Sequence, residues 1–272
     1  MEDLLVRKIA HVSDVHFGRI AHPRIVEALV DEVNEAGVDL VVVSGDLTQR
    51  ARTMQFMAAA AMLEAFAAPT LVVPGNHDVY AWWYPVARWF SPLARYRRHI
   101  TPDLMPTFEQ DGLAVLGINS AHGRTVKGGK ISLLARRRVE TFFREKPESI
   151  FKVLVVHHHL TRIQALGSHD VARKARQTLD AAISVGVDLV LCGHLHISHV
   201  EPIDVVPARH RIVIASAGTA TSNRGRGPNA QSNFYNLIEV TPGHFSIEER
   251  LFDPAAGRYV SEGRVKFARS FE

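Results

Sequence analysis

Five short apolar runs in this chain stop abruptly in aspartate, asparagine or histidine, and no other feature limits the fold as much. Ile9 to Val12 leads into Ser13-Asp14-Val15-His16, Leu40 to Val43 into Ser44-Gly45-Asp46, and Leu71 to Val73 into Gly75-Asn76-His77-Asp78. Val153 to Val156 ends in His157-His158-His159, and Leu189 to Leu191 in Gly193-His194-Leu195-His196. Runs this short, made of valine, isoleucine and leucine, read as strands buried on both faces. Ligands of open α/β sheets gather outside the carboxyl ends of the strands, so five such ends of one sheet would converge on one place.

Helical patterns lie between the runs. Pro23 to Ala36 carries Ile25, Val26, Leu29, Val30 and Val33 at helical spacing, with Pro23 near its start and Gly37 just past its end. Met54 to Phe66, Ile131 to Arg144 and Val171 to Ser184 repeat the pattern, and Val115 to Ile118 adds a further strand. The alternation predicts a largely parallel sheet with right-handed crossovers. After Gly193 only strands are expected, at Arg211 to Ala215, Tyr235 to Val240 and His244 to Arg250, and these predict a second, more antiparallel sheet. The segment Val79 to Pro106, with Trp82, Trp83, Trp89 and a basic end, breaks the rhythm. It reads either as a lid or wall over a site or as aromatic packing of an irregular insertion.

Composition narrows the class of molecule. At 272 residues, 46% hydrophobic and 22% charged, the chain reads as one packed domain over 1–272 with a lid-like insertion at about 79–106. Its net charge of +4 is clumped at Arg95 to His99, Arg136 to Arg138, Arg173 to Arg176 and Arg209 to Arg211. Such clumps suit phosphate-bearing small molecules better than a nucleic-acid groove. A single cysteine, Cys192, excludes an intramolecular disulfide and points to a reducing compartment. With no basic, long-apolar leader and no run of about 18 apolar residues, a cytoplasmic protein without a membrane span is expected. A homo-oligomer is left open.

The residue types at the strand ends suit metal. Imidazole and carboxylate without thiolate favour Zn, Fe or Mn, and an asparagine adds a carbonyl oxygen. Asp14, His16, Asp46, Asn76, His157, His194 and His196 are too many for one ion, but suit two that share a carboxylate. Such a pair clamps the attacking and leaving oxygens of a phosphoryl displacement. Each motif alone reads as a cap or a turn, and together they do not. His11, inside the first strand, reads as a satisfied core histidine, and Cys192 as a small buried hydrophobe.

The ordered set Asp14-x-His16, Gly45-Asp46, Gly75-Asn76-His77-Asp78, His157-His158 and Gly193-His194-x-His196 resembles the calcineurin-like metallophosphoesterases. The sequence around the first two motifs is similar to bacterial class III cyclic-nucleotide phosphodiesterases. The resemblance implies a four-layer αββα sandwich of two mixed sheets flanked by helices, with a dinuclear site of divalent or trivalent ions at the strand ends. It implies Asp14, His16 and His196 for the first metal, Asn76, His157 and His194 for the second, and Asp46 as the bridge. The family usually reads His-His-Pro where this chain has a third histidine, His159, which leaves a one-residue shift of the His157 ligand open.

His77 is then the candidate to stabilise the transferring phosphoryl group or protonate the leaving oxygen, with Asp78 orienting its ring. Arg224 and Arg226, in a glycine-rich loop, are candidates for a substrate phosphate, and Trp82 and Trp83 for stacking. The expected reaction is hydrolysis of a small phosphodiester, cyclic nucleotides included, by a hydroxide bridging the metals. A lipid-pyrophosphate or nucleotide-lipid hydrolase, a phosphomonoesterase and a nuclease are the alternatives within the fold. A metal-free interaction scaffold is the alternative outside enzymes, and it is disfavoured because every motif position carries a competent ligand.

Overall fold

The computed structural model describes residues 6–125, 127–162, 171–204 and 211–269. In chain order the first half holds β1 (Arg7–Val12), α1 (Ile25–Glu35), β2 (Leu40–Val43), α2 (Thr53–Ala65), β3 (Thr70–Val72), α3 (Pro85–Phe90), α4 (Ala94–His99), β4 (Thr107–Gln110) and β5 (Leu113–Ile118). The second holds α5 (Leu133–Arg144), β6 (Phe151–Val156), α6 (Ala175–Ser184), β7 (Leu189–Cys192), β8 (His199–Asp204), β9 (Arg211–Ser216), β10 (Phe234–Val240), β11 (His244–Asp253) and β12 (Arg258–Ala268).

Two mixed six-stranded sheets result, ordered β12-β11-β10-β1-β2-β3 and β4-β5-β6-β7-β9-β8. Strand alternation stacks them. In β1, Ala10 and Val12 pack outward with Leu29 and Val33 of α1 and Phe56 of α2. In β6, Leu154 and Val156 pack outward with Val139 and Phe143 of α5. The intervening residues Ile9, Val42, Val153, Val155 and Leu191 meet in one layer between the sheets. Helix, sheet, sheet, helix is therefore the order of layers, and each central strand is apolar on both faces because both faces are covered. Helix α1 ends as its sequence predicts, with Gly37 beyond it at φ +59°.

Two expectations about connectivity need correction. The apolar runs do not share one sheet: β1, β2 and β3 belong to the first, and β5, β6 and β7 to the second. Nor do the carboxyl-terminal strands make a sheet of their own. β10 runs antiparallel to β1, pairing Ile9 with Ile238, while β9 joins β7 in parallel. A strand apolar on both faces carries no mark of which neighbour it pairs with, so sequence periodicity cannot assign it to a sheet. Strands β4, β8 and β12 escape the sequence reading for local reasons. β4 is four residues long, Pro202 interrupts β8, and β12 is mostly exposed along its middle. Of the basic cluster Arg209 to Arg211, positions 209–210 lie outside the described residues.

Candidate metal centre

The carboxyl ends of β1, β2 and β3 from one sheet meet those of β6 and β7 from the other, so convergence is built across two sheets rather than along one. The backbone there is unusual. Asp14, His16, Asp46, His194 and His196 all have positive φ, between 50° and 71°, and only Ala51 and Lys174 join them among the described non-glycine residues. The left-handed region costs a non-glycine residue about 1–3 kcal/mol and concentrates where a site over-determines the backbone. Here it turns each side chain off the end of its strand into a common space. Glycines let the ends close up. A Cβ on Gly75 would stand 2.1 Å from Asp46 Oδ1, and one on Gly193 would stand 2.5 Å from Asp14 Oδ2.

The side chains form two adjoining groups. Asp14, His16, Asp46 and His196 bring one donor atom each within 4.8 Å of one another. His196 Nε2 stands 3.3 Å from Asp14 Oδ1 and from His16 Nε2. In the second group, Asn76 Oδ1 lies 3.2 Å from His157 Nε2 and 2.9 Å from His194 Nδ1. Asp46 Oδ2 sits between the groups, 3.7 Å from His16 Nε2 and 3.5 Å from His157 Nε2.

Backbone acceptors fix the rings. His157 Nδ1–H donates to the Ser44 carbonyl at 2.7 Å and His16 Nδ1–H to the Thr48 carbonyl at 3.3 Å, which directs both Nε2 lone pairs inward. His158 also lies within reach of His157 and His194. Its Nδ1, however, meets Ser120 Oγ at 2.8 Å and its Nε2 the Lys127 carbonyl at 3.0 Å, so both of its nitrogens are engaged. The geometry favours His157 over its neighbour.

The donor set has the charge and the unmet capacity that a metal requires. Asp14 Oδ1 and Asp46 Oδ2 are buried without a hydrogen-bond partner, and the same holds for His196 Nδ1. An unpaired carboxylate oxygen in the interior is costly, and a cation removes that cost. Burial works to raise both carboxyl pKa values, but the surrounding histidines hold them below the usual carboxylate range. Burial pushes His194 down to about 3 and His196 to about 4, which keeps them neutral, the form that ligates metal. Against its own burial, His157 is pushed up to about 9 by Asp46.

The family model for calcineurin-like phosphoesterases matches residues 7–198, a span that includes all five strand ends. The chain belongs to that family. Among curated relatives it is 24% identical over 208 residues to an uncharacterized metallophosphoesterase of Helicobacter pylori, covering 73% of this chain and 47% of the relative. The chain thus spans about half the length of the curated relatives it matches. Among solved structures, PhoD superposes with a TM-score of 0.73 at 12% identity, covering 97% of this chain and 70% of that one. The purple acid phosphatase of yellow lupin (Lupinus luteus) seeds gives 0.69 at 11% identity, covering 99% and 55%. A dimetal phosphatase from Danio rerio gives 0.64 at 12%, covering 97% and 99%. These likenesses show the calcineurin-like fold.

Beside the strand ends of this calcineurin-like chain lies a cleft of about 320 Å³, whose lining includes Asn76, His77, Trp82, Trp83 and Arg224. His77 sits in its wall, and its backbone N–H donates to Asp46 Oδ1 at 2.7 Å. Asp78 does not do what the sequence suggests. The 3-10 turn Asn76–Asp78 swings its carboxylate back onto the chain, where it accepts from the N–H groups of Leu47, Thr48 and Gly75 at 2.9–3.2 Å. The His77 ring is set instead by the Gln49 carbonyl, 2.8 Å from Nδ1.

The two loop arginines part company. Arg224 lines the cleft, bonds Gln49 Oε1 through Nη1 at 3.1 Å, and keeps a buried Nε without a partner. Arg226 is exposed and is not among the cleft-lining residues, and its backbone N–H donates to the His196 carbonyl at 3.4 Å.

Sequence reasoning missed Gln49, Arg50 and Lys127 in the cleft, whereas Arg88 belongs to the segment Val79 to Pro106 read as a wall. Gln49 and Arg50 directly follow Gly-Asp-Leu-Thr and were within reach of the motif, whereas Lys127 carries no local signal. Also missed was the clamp from the loop after β9. Thr219 Oγ1 donates to the Asp14 carbonyl at 2.7 Å and Thr221 Oγ1 to the Val15 carbonyl at 2.9 Å. His11 is indeed a core histidine, held between Ser44 Oγ and the Asn236 side chain. Cys192 is buried and its thiol pKa is pushed up by that burial.

Proposed function

We propose that this chain is a two-metal phosphoesterase that hydrolyses small phosphodiesters, cyclic nucleotides included. Asp14, His16 and His196 hold one ion, Asn76, His157 and His194 the other, and Asp46 both. The observation that carries this reading is the pair of partnerless buried oxygens, Asp14 Oδ1 and Asp46 Oδ2, facing imidazole nitrogens on every side. Mn, Fe and Zn all match this donor set. Two such ions, when bound, supply Lewis acidity that activates water and offsets charge on the phosphoryl oxygens.

The chain's own residues do the rest. With Nδ1–H donated to the Gln49 carbonyl, His77 carries a second proton on Nε2 only as the imidazolium, a form that burial disfavours and Asp46 favours. In that form Nε2 would give its proton to the departing alkoxide and return to the neutral ring. The unpaired Nε–H of Arg224 supplies a charge-assisted bond to a non-bridging oxygen in the same cleft. Asp78 positions rather than reacts, because it pins the loop that carries Asp46 to the turn that carries His77. We read residues 1–272 as one catalytic domain and 79–106 as its lid, with Trp82 and Trp83 forming the organic side of the cleft. The two indoles offer an aromatic or heterocyclic ester group a surface to stack on, and this supports organic diesters over small esters that lack such a group.

The test is a panel of cyclic nucleotides, bis(p-nitrophenyl) phosphate, p-nitrophenyl phosphate and nucleotide-linked lipids with added Mn, together with metal analysis of the purified chain. Diester turnover above monoester turnover with two metals per chain supports the reading. Monoester preference moves the chain among phosphomonoesterases, and a metal-free, inactive chain makes it a scaffold.

A further inference from the structure

The cleft wall continues onto a surface that hydrolysis does not require. Helix α3 buries none of its residues, although its sequence is Pro-Val-Ala-Arg-Trp-Phe. Trp82 is 72% exposed, Val86 70%, Trp89 62% and Phe90 77%. The neighbouring α4 shows what a docked helix looks like in the same segment: Tyr96 is buried there and its hydroxyl donates to the Val72 carbonyl. The apolar surface also extends past α3. Trp89 and Leu134, from the start of α5, line one groove of about 730 Å³, and Leu133 beside it is exposed. Apolar patches of this kind mark interaction sites.

Charge identifies the partner. From 79 to 102 the sequence has no acidic residue and four arginines, Arg88, Arg95, Arg97 and Arg98. From 112 to 139 it again has no acidic residue, against Arg124, Lys127, Lys130 and Arg136 to Arg138. These ten cations exceed the net charge of +4, so the remainder of the chain is net acidic. The structure packs the two segments together. The Arg88 guanidinium donates to the carbonyls of Tyr80 and Thr125, and Arg124 lies over the Trp89 ring at 5.1 Å. Arg97, Arg124, Lys130 and Arg173 line the groove with Trp89 and Leu134.

We infer that this face, the exposed aromatics of Trp82 to Phe90 with Leu133 and Leu134 set among arginines, docks the chain on an anionic bilayer. Tryptophan and phenylalanine belong at the headgroup boundary, and arginines among them meet lipid phosphates. No helix among the described residues is long and apolar enough to cross a membrane, and the proposed contact is made by this surface alone. A second copy of the chain is the poorer occupant, because a two-fold contact would set the arginines of one face against those of the other. Trp82, Trp83 and Arg88 belong both to this face and to the cleft, so a phosphoester held at the bilayer surface has a short path to the strand ends. That last step rests on the phosphoesterase reading, while the docking does not.

Co-sedimentation of the full chain with vesicles tests it without any turnover. Phosphatidylcholine vesicles with about 30% phosphatidylglycerol should carry the chain down, pure phosphatidylcholine much less, and added salt should release it. Trp89→Ala with Phe90→Ala should lower the partition at least about tenfold with an unchanged circular dichroism spectrum, because both side chains are exposed. Arg97→Gln and Arg124→Gln should each lower it about fivefold on the anionic vesicles only, since both line the groove beside Trp89. Equal binding to both vesicle types, or anionic binding that ignores these substitutions, would overturn the inference. So would a dimer in sedimentation velocity that the Trp89/Phe90 variant converts to monomer. A chain that docks but hydrolyses nothing keeps this inference and loses the proposed reaction.

Discussion

The strand-end centre and the Trp82–Phe90 segment border the same cleft and are built in opposite ways. At the centre, Asp14, His16, Asp46 and His157 are buried completely, and the rings of His16 and His157 are each tied to a backbone carbonyl. In the segment, α3 buries nothing, and its main anchor is the Arg88 side chain reaching two carbonyls. The centre holds its geometry because two sheets and several left-handed turns leave no alternative. The segment is held through Arg88 and leaves the apolar side chains of Trp82, Val86, Trp89 and Phe90 exposed. Reactive groups have to be fixed to a fraction of an ångström, whereas a surface that chooses substrates or partners only has to be present and of the right character.

This contrast breaks first at Asp46. Asp46→Asn should abolish turnover and empty both metal sites in elemental analysis, since one oxygen faces both ligand groups. Retention of two metals per chain would show that the centre does not depend on a shared ligand.

His77 sets a sharper division within the cleft. His77→Ala should keep its metals and lose roughly 10²- to 10⁴-fold in kcat, with a smaller loss on nitrophenyl esters than on alkyl esters. Equal losses on both would mean that the ring stabilises charge without giving a proton.

Asp78 tests whether the centre is a matter of tethering. Asp78→Ala leaves the N–H groups of Leu47, Thr48 and Gly75 without their acceptor, and should lower stability by about 1–3 kcal/mol for each group left dry. A normal thermal midpoint together with an altered pH profile would return Asp78 to the role of orienting His77.

The smallest effect is expected on the other side of the comparison. Trp82→Ala with Trp83→Ala should raise KM for bulky or cyclic diesters by up to about tenfold, leave small nitrophenyl esters alone and leave the thermal midpoint unchanged. Loss on every substrate, or unfolding, would make the segment part of the core after all.

Much of the centre is legible in the sequence because its chemistry is local there. Each ligand lies within a few residues of a strand end, and Asp14, Asp46, Asn76 and His194 come with neighbours that mark the turn. His157 is legible through the end of its strand, but only the bonds of His158 to Ser120 and Lys127 set the two histidines apart. Asp78 misleads because adjacency to His77 suggests contact, while a 3-10 turn carries the two side chains in different directions.

Taken alone, the sequence determined the central strands, the main helices and the ligand chemistry, since apolar period, turn residues and donor type are properties of short stretches. Tertiary structure decided which strands share a sheet, because buried strands look alike from either face and β10 reaches β1 across more than 200 positions of chain. It also decided that five strand ends from two sheets meet, that Arg224 enters the cleft while Arg226 stays outside, and that α3 remains uncovered. Those outcomes depend on distances between residues far apart in the chain, and no local pattern encodes such a distance.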